Sequence, residues 1–343
     1  MRFLIDWAER GLLPSPLVRI GIQGLLAHRL HLERVRTKEE HRLRLENTLQ
    51  ELRKSHIALF PEKANRQHYE VPVDFFKWVL GDYLKYSSCY WFEGVDNLSE
   101  AEAAMLKLTC ERAGLEDGMD ILELGCGWGS LTLWMARHYP HSRILSMSNS
   151  YSQREFIQDH CRRLGFSNVQ VLTEDINDFD TDRLFDRIVS VEMLEHVRNY
   201  QRLFSRLARW LNPRGRLFVH VFCHRYLCYP FENQGATDWM GQYFFTGGLM
   251  PSADLFSYFQ DDLMIEQQWW VDGTHYSQTA RAWLANLNHN QEKIMDILPR
   301  VYGSASRQWL NRWRIFFMAC EELFGYRQGQ EWGVSHYCFQ KTH

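Results

Sequence analysis

The chain of 343 residues lacks several features that would assign it to a functional class at once. Its formal net charge is −3, so no excess of basic residues favours a nucleic acid as partner. No apolar run reaches the roughly 18 residues that a membrane-spanning helix needs. None of the eight cysteines forms a Cys-x-x-Cys pair, and the charged N-terminus has no secretory signal. We therefore expect reduced thiols and a cytoplasmic protein.

The first 64 residues indicate a helical extension, which precedes a main domain over residues 65–343. Pro14 and Pro16 separate two helical segments. The second segment, 17–30, mixes apolar with basic residues, so it could lie on a membrane surface or pack on the main domain as a lid. We expect the lid, and a monomer or a homodimer.

The stretch 120–129, Asp-Ile-Leu-Glu-Leu-Gly-Cys-Gly-Trp-Gly, predicts a buried strand that leads directly into a glycine turn and a helix. This order of elements brings bare backbone against a nucleotide-like ligand. Glu123 lies in the strand, and the glycines follow at 125, 127 and 129. The pattern resembles the first motif of Rossmann-like S-adenosylmethionine (SAM) methyltransferases. A tight turn without a ligand and a nicotinamide site are the alternatives.

Strands and helices alternate after this stretch, which predicts an α/β fold with a doubly wound, mostly parallel sheet. Capping boxes at Ser99/Glu102 and Ser152/Glu155 are expected to begin two helices. The segment from about 226 to 300 is irregular and rich in aromatic residues, which indicates a cap inserted after the fifth strand. Ligands bind at the carboxyl ends of such strands. Further strands are expected at 143–147, 169–172, 185–191, 215–222 and 331–341.

The residues that follow the first three strands form a candidate SAM site. The backbone of Gly125, Cys126 and Gly127 can approach the methionine part of SAM. No carboxylate follows the second strand to bind the ribose hydroxyls, so polar side chains must replace it. After the third strand, Asp175 could accept from the adenine amino group and Ile176 could pack on the ring, or Asp175 could cap a helix. The candidates for the ribose are Ser148, Asn149, Ser150 and Gln153.

The segment after the fourth strand concentrates ionisable side chains. Glu192, Glu195 and His196 share one face if the segment is helical. Such a group is unusual in a core unless its members are paired. Glu192 and His196 could also bind a metal, but no third ligand is evident, so we expect none. A structural hydrogen-bonding role is the alternative for Glu195 and for His196.

Four motifs together resemble the cyclopropane-fatty-acid synthase superfamily of SAM methyltransferases, and within it the coclaurine N-methyltransferase branch. The tail segments 259–262 and 324–336 are similar to that branch as well, so the resemblance covers about residues 65–341. It implies that SAM is the cofactor and S-adenosyl-L-homocysteine (SAH) the product, and it places Tyr86 and Ser87 at the cofactor. The motifs are Glu123-Leu-Gly-Cys-Gly-Trp-Gly, Glu192-Met-Leu-Glu-His-Val, Tyr86-Ser-Ser-Cys-Tyr and His68-Tyr-Glu-Val-Pro.

The resemblance implies a second set of residues. Cyclopropane synthases hold a bicarbonate base with a Cys, a Glu, a His and a Tyr. The matching positions here are Ser88, Glu195, His220 and Tyr276, with Ser88 in place of the Cys. Those synthases carry a small residue at the position of Glu192, whereas the N-methyltransferases carry Glu. A carboxylate attracts an ammonium group and stabilises the positive charge that forms on nitrogen, but it suits a lipid tunnel poorly.

We therefore expect a SAM-dependent N-methyltransferase that acts on a small, aromatic amine. Glu192 would anchor the amine, His196 would remove its proton with a pKa near neutrality, and Glu195 would support the pair. The alternative is an enzyme like cyclopropane-fatty-acyl-phospholipid synthase, which would methylate lipid alkenes, use bicarbonate and touch a membrane. A catalytically idle SAM- or lipid-binding module is the third hypothesis, and the intact glycines count against it.

Overall fold

A doubly wound sheet forms the centre of the computed structural model, which describes residues 2–33, 37–59, 71–231, 235 and 238–342. Its strands are β1 (Asp120–Leu124), β2 (Arg143–Ser148), β3 (Val169–Thr173), β4 (Phe185–Val191), β5 (Leu211–His224), β6 (Tyr229–Pro230), β7 (Leu249–Met250), β8 (Leu263–Val271) and β9 (Trp332–Lys341). Seven strands share one sheet in the order β3-β2-β1-β4-β5-β9-β8. β1 to β5 are parallel, whereas β9 is antiparallel to β5 and β8 is antiparallel to β9. The predicted fold class is confirmed.

Helices cover both faces of this sheet. They are α1 (Arg2–Glu9), α2 (Ser15–Glu33), α3 (Lys38–Lys54), α4 (Val73–Val79), α5 (Leu98–Ala113), α6 (Ser130–His138), α7 (Tyr151–Leu164), α8 (Tyr200–Trp210), α9 (Trp239–Tyr243), α10 (Gly273–His289), α11 (Gln291–Ile297), α12 (Pro299–Tyr302) and α13 (Ser306–Gly325). Leu122 of β1 packs in the core with α3 and α8, and its neighbour Ile121 packs in the core with α5 and α6. Strands buried on both faces read as continuous apolar runs, which is why β1 was recognisable.

A third, aromatic core lies between α4, α10 and α13. Phe75 packs on Trp313 at a ring separation of 4.8 Å, and Phe244 stacks on Phe316 at 4.3 Å. The segment 226–300, predicted to be an irregular cap, contains regular elements, because β8 joins the main sheet and α10 packs on α13; the cap itself stays a prediction. The aromatic side chains that fill this core obscured the regular spacing of apolar residues that marks a strand or a helix.

The N-terminal helices contact the main domain through polar groups. Arg19 of α2 forms ion pairs with Glu321 at 2.6 Å and Glu322 at 2.5 Å on α13. The buried Glu9 accepts a hydrogen bond from the Trp239 indole at 2.8 Å. The predicted domain boundary at residue 64 and most of the motif that begins at His68 lie outside the described residues. None of the helices within the described ranges has the length and apolar character to cross a membrane.

Both predicted capping boxes are wrong. α5 is capped by Asn97, which accepts from the Glu100 N–H at 2.9 Å, and α7 is capped by Ser150, which accepts from the Gln153 N–H at 3.4 Å. The Ser99 hydroxyl instead accepts from the backbone of a neighbouring loop, at Asp82. Each helix start offers two residues that can cap it, two positions apart, so the sequence alone did not show which of them is the cap.

Candidate active site

A cavity of about 150 Å³ lies at the carboxyl ends of β1 to β4. It collects two of the three predicted catalytic residues and every residue predicted to bind the cofactor except Ser150, whose hydroxyl caps α7 instead. The predicted cofactor residues in its wall are Tyr86, Ser87, Glu123, Gly125, Cys126, Gly127, Ser148, Asn149, Gln153, Asp175 and Ile176, and the predicted catalytic residues there are Glu192 and His196. Parallel strands explain this, because their carboxyl ends bring segments far apart in sequence to one edge.

The glycine turn places backbone against this cavity. Gly125 has a φ of +75°, and a Cβ there would come within 2.8 Å of the Met193 side chain. Gly127 has a φ of +52°, and a Cβ there would meet nothing within 4 Å, so the residue faces open space. The N–H groups of Gly125 and Cys126 both donate to the Met147 carbonyl, at 3.0 and 2.9 Å. The turn is thus fixed to β2 while its open side borders the cavity.

The polar side chains after β2 and β3 include atoms that can still form hydrogen bonds to a ligand in the cavity. The Ser148 hydroxyl donates to Gln153 Oε1 at 2.6 Å, while the buried Gln153 Nε2 has no partner among the described residues. Asp175 Oδ1 accepts from the Asn177 N–H at 2.8 Å, so this side chain caps a turn and borders the cavity at once. Glu174, which directly follows β3, also lines the cavity. Glu174 was not among the predicted site residues.

Glu123 lies at the floor of the cavity, and its carboxyl group is held there by hydrogen bonds. Its Oε2 accepts from the Thr132 hydroxyl at 2.5 Å and from the Ser146 hydroxyl at 2.8 Å. Burial raises the pKa of Glu123 to about 7, against the lowering effect of these two hydrogen bonds. The carboxyl group joins β1 to α6 and β2, and so it stabilises the turn that begins two residues later.

The loop that carries Tyr86 and Ser87 is held from beneath by Glu102 of α5. Glu102 is buried and accepts three backbone hydrogen bonds, from the N–H groups of Gly81 at 2.9 Å, Tyr83 at 2.8 Å and Lys85 at 3.2 Å. Burial raises the pKa of Glu102 to about 7, and the three N–H groups and the Lys85 charge oppose that rise. One side chain therefore fixes the course of the loop.

Lys85 is an ammonium group that sequence reasoning did not find. Only 2% of the residue is exposed, and it lines the cavity. Its Nζ donates to the Ser88 carbonyl at 2.7 Å and to the Ser87 hydroxyl. Burial lowers the pKa of Lys85, and the nearby Cys89, Glu192 and Glu102 oppose that shift. No local sequence signal marks it, because a lysine beside a polar loop is ordinarily exposed.

Glu192 is the centre of the site. Its backbone has a φ of +47°, an uncommon conformation for a residue with a side chain. Its Oε1 accepts from the Ser88 N–H at 2.8 Å and lies 3.2 Å from His220 Nε2, and its Oε2 accepts from the Tyr276 hydroxyl at 2.7 Å. Burial raises the pKa of Glu192, while Lys85, the Ser88 N–H, the Tyr276 hydroxyl and His196 oppose the rise. These groups provide a place for a buried anion.

Ser88, His220 and Tyr276 do not line the cavity, but all three contact Glu192. The resemblance assigns these positions, with Glu195, to a bicarbonate ion. Here three of the four surround the carboxylate of the chain itself. The fourth, Glu195, is fully buried and accepts from the Phe222 N–H at 2.7 Å through Oε1. Burial, with Glu192 nearby, raises the pKa of Glu195 well above its usual range.

His196 lines the cavity at the end of a short 3-10 helix, Leu194–His196. Its ring stacks on Phe245 with centroids 5.2 Å apart and planes 10° apart. Burial lowers the pKa of His196 to about 4; Arg198 acts in the same direction and Glu192 opposes it. The expected pKa near neutrality is therefore corrected downward, because no local sequence pattern reports this burial. Within the described ranges, no group of three His, Cys, Asp or Glu side chains is arranged to hold a metal.

Known proteins are similar to this chain over most of its length, including the residues of the cavity. A family model described as mycolic acid cyclopropane synthetase matches residues 60–332. The (S)-coclaurine N-methyltransferase of Thalictrum flavum subsp. glaucum is 40% identical, over 98% of this chain and 95% of that protein. A solved structure of coclaurine N-methyltransferase bound to N-methylheliamine and SAH is 37% identical, covers 98% of this chain and 99% of its own, and has a TM-score of 0.95. The cyclopropane-fatty-acyl-phospholipid synthase of Escherichia coli K12 is 30% identical over 79% of this chain and 66% of that protein.

The fold and the cavity at its strand ends define a class I SAM-dependent methyltransferase. The chain belongs to the mycolic acid cyclopropane synthetase family, and its sequence is more similar to the coclaurine N-methyltransferase than to the bacterial cyclopropane synthase. The predicted family is confirmed.

The role of Glu102 yields a stability prediction. Glu102→Gln should lower the free energy of unfolding by about 1–3 kcal/mol, because an amide N–H would then face backbone donors in a buried site. The affinity for SAH should fall as well, since the loop carries Tyr86 and Ser87. Urea denaturation and calorimetry would measure both. Glu111→Gln, on the exposed face of the same helix, is the matched control; equal effects of the two variants would contradict the assignment.

Proposed function

We propose that this chain transfers the methyl group of SAM to the nitrogen of a small aromatic amine. The observation that carries the proposal is the carboxylate of Glu192, whose side chain is only 9% exposed at the cavity wall, where it can receive a cationic nitrogen. Relatives named as coclaurine N-methyltransferases support the amine class of acceptor. The eight free cysteines suit a reducing compartment such as the cytoplasm. A monomer or a homodimer stays a prediction.

The cavity fits SAM by its donors and its open backbone. The unpartnered Gln153 Nε2 and the open side of Gly127 offer a hydrogen bond and close approach. Ser148, Asn149 and Glu174 would hold the ribose, and Asp175 with Ile176 would hold the adenine. SAM supplies an electrophilic methyl group when it is bound. The chain itself then acts by positioning the acceptor nitrogen in line with that methyl group.

Glu192 would bind the acceptor through its remaining acceptor position. A carboxylate offers about four lone-pair sites, and the hydrogen bonds of Ser88, His220 and Tyr276 use three of them. Because Glu192 lines the cavity, an ammonium N–H can occupy the fourth. A charge-assisted hydrogen bond in a site shielded from water is stronger than one at the surface. The same negative charge then stabilises the positive nitrogen that forms on methylation.

His196 would accept the proton that the ammonium loses before it can attack. The ring is neutral at pH 7, because its pKa of about 4 lies well below that value. It also borders the same cavity as Glu192. Phe245, stacked on the ring, fixes its orientation and adds an aromatic face to the acceptor side. Glu195 lies behind this pair and would support the segment 192–196 from the core side.

Methyl-deuterated SAM tests the acceptor class. The protein would be incubated with labelled SAM and two acceptor pools, aryl-alkyl amines including (S)-coclaurine and vesicles of unsaturated phospholipid, with products read by mass spectrometry. We expect the label on amine nitrogen only. Label in the acyl chains would contradict the proposal, since a fixed carboxylate at position 192 disfavours a lipid alkene. Gly127→Asp is the control, because loss of SAM binding must abolish either product.

The low pKa of His196 predicts the pH dependence. Because His196, with a pKa of about 4, would pass the ammonium proton on to solvent before the neutral nitrogen attacks, kcat/KM should rise about tenfold per pH unit up to the pKa of the acceptor. His196 is already neutral above pH 6, so its titration should not change the slope of the pH profile. His196→Ala should lower kcat by about 100-fold and leave the shape of the profile unchanged. A break near the ordinary histidine pKa of about 6.5 that disappears in His196→Ala would contradict this account.

A further inference from the structure

A line of buried hydrogen bonds runs from Glu192 away from the cavity. His220 Nε2 lies 3.2 Å from Glu192 Oε1, His220 Nδ1 lies 2.8 Å from His336 Nε2, and His336 Nδ1 lies 2.7 Å from Arg112 Nη1. Both histidines are fully buried, and Arg112 is half-buried on α5, with its guanidinium 5.0 Å from the ring of Trp269. β5 and β9 supply the two histidines, which are paired directly across the sheet.

The last member of this line fixes the direction of all its hydrogen bonds. A guanidinium can only donate, so His336 Nδ1 must accept. A neutral His336 then carries its proton on Nε2 and donates to His220 Nδ1. His220 in turn carries its proton on Nε2 and donates to Glu192. Burial lowers the pKa of each histidine well below its usual range, and Arg112 and Lys85 act in the same direction, so both rings are neutral.

We propose that Arg112 and His336 are positioning residues for methyl transfer, because they set the tautomer of His220 and thereby present an N–H to the Glu192 carboxylate. The proposal rests on the proposed function for its consequence in catalysis. The line of rings does not carry the acceptor proton away, because Arg112 cannot receive one. The proton must therefore leave on the cavity side, where His196 lies.

The surroundings of Glu192 show why this N–H matters. Desolvation favours the neutral carboxyl, so each donor that faces the group helps to keep it charged. A His220 of the opposite tautomer would turn a lone pair toward Oε1 and favour the neutral form. The titratable and charged groups around Glu192 are Lys85 and Cys89 on the loop before α5, Glu195 and His196 on its own segment, His220 on β5, Tyr276 on α10 and Cys320 on α13.

Arg112→Glu tests the direction of the line. A carboxylate at this position accepts, directly or through one water, so both rings should invert their tautomers. Arg112→Lys keeps a donor and is the matched control. The readout is the nitrogen NMR spectrum of the ¹⁵N-histidine-labelled protein, because protonated and bare ring nitrogens differ in chemical shift. His336→Gln and His220→Gln assign the signals.

We expect both rings to carry their proton on Nε2 in the wild type and in Arg112→Lys, and on Nδ1 in Arg112→Glu. The affinity of the SAH-bound protein for benzyltrimethylammonium, a fixed cation, should fall about tenfold in Arg112→Glu only. A His220 protonated on Nδ1 in the wild type, or tautomers unchanged in Arg112→Glu, would overturn the proposal. This spectrum needs no acceptor, so it stays informative if amine methylation itself fails. Inverted tautomers with unchanged cation affinity would show that the tautomer of His220 does not affect Glu192, and would contradict that part of the proposal.

Discussion

The carboxyl group of Glu192, almost wholly removed from solvent, is the constraint on which the rest of the site depends. An unpaired carboxylate in a protein interior costs several kcal/mol, so its surroundings must compensate. Hydrogen bonds from the Ser88 backbone, His220 and Tyr276 converge on it from three separate elements, and the Lys85 ammonium lies nearby. The strained backbone at Glu192 is tolerated because these contacts and the Glu192 N–H bond to the His220 carbonyl, 2.8 Å long, hold it.

This arrangement explains how one family can serve two chemistries. The donors that the resemblance assigns to a bicarbonate ion surround a side-chain carboxylate here. A carboxylate on the chain cannot leave, and in the proposed mechanism its remaining acceptor position receives the substrate nitrogen from the cavity. A mobile anion suits an alkene that must lose a proton, whereas a fixed one suits an amine that arrives as a cation. Under this proposal, the residue at position 192 decides which anion the shared donors bind.

Much of the fold and of the cofactor site was predictable from the sequence, because both depend on local patterns. Apolar runs marked the strands, and the glycine turn marked the edge where the cavity lies. Lys85, Glu102, Arg112 and His336 escaped prediction because their roles depend on partners far away in the sequence: the hydrogen bond from Arg112 to His336 joins positions 224 residues apart. The pKa near neutrality expected of His196 was wrong for a related reason, since burial lowers that pKa and no local pattern reports burial.

The most direct test of the charge at Glu192 is a comparison of Glu192→Gln with the wild type. The amide is nearly isosteric; it removes the charge and turns an N–H toward one of the donors around position 192. We expect kcat/KM for the amine to fall by at least about 100-fold, while the affinity for SAH, measured by calorimetry, changes less than about twofold. An unchanged kcat/KM would contradict the account, because the donors around position 192 would then be structural and the amine would bind elsewhere.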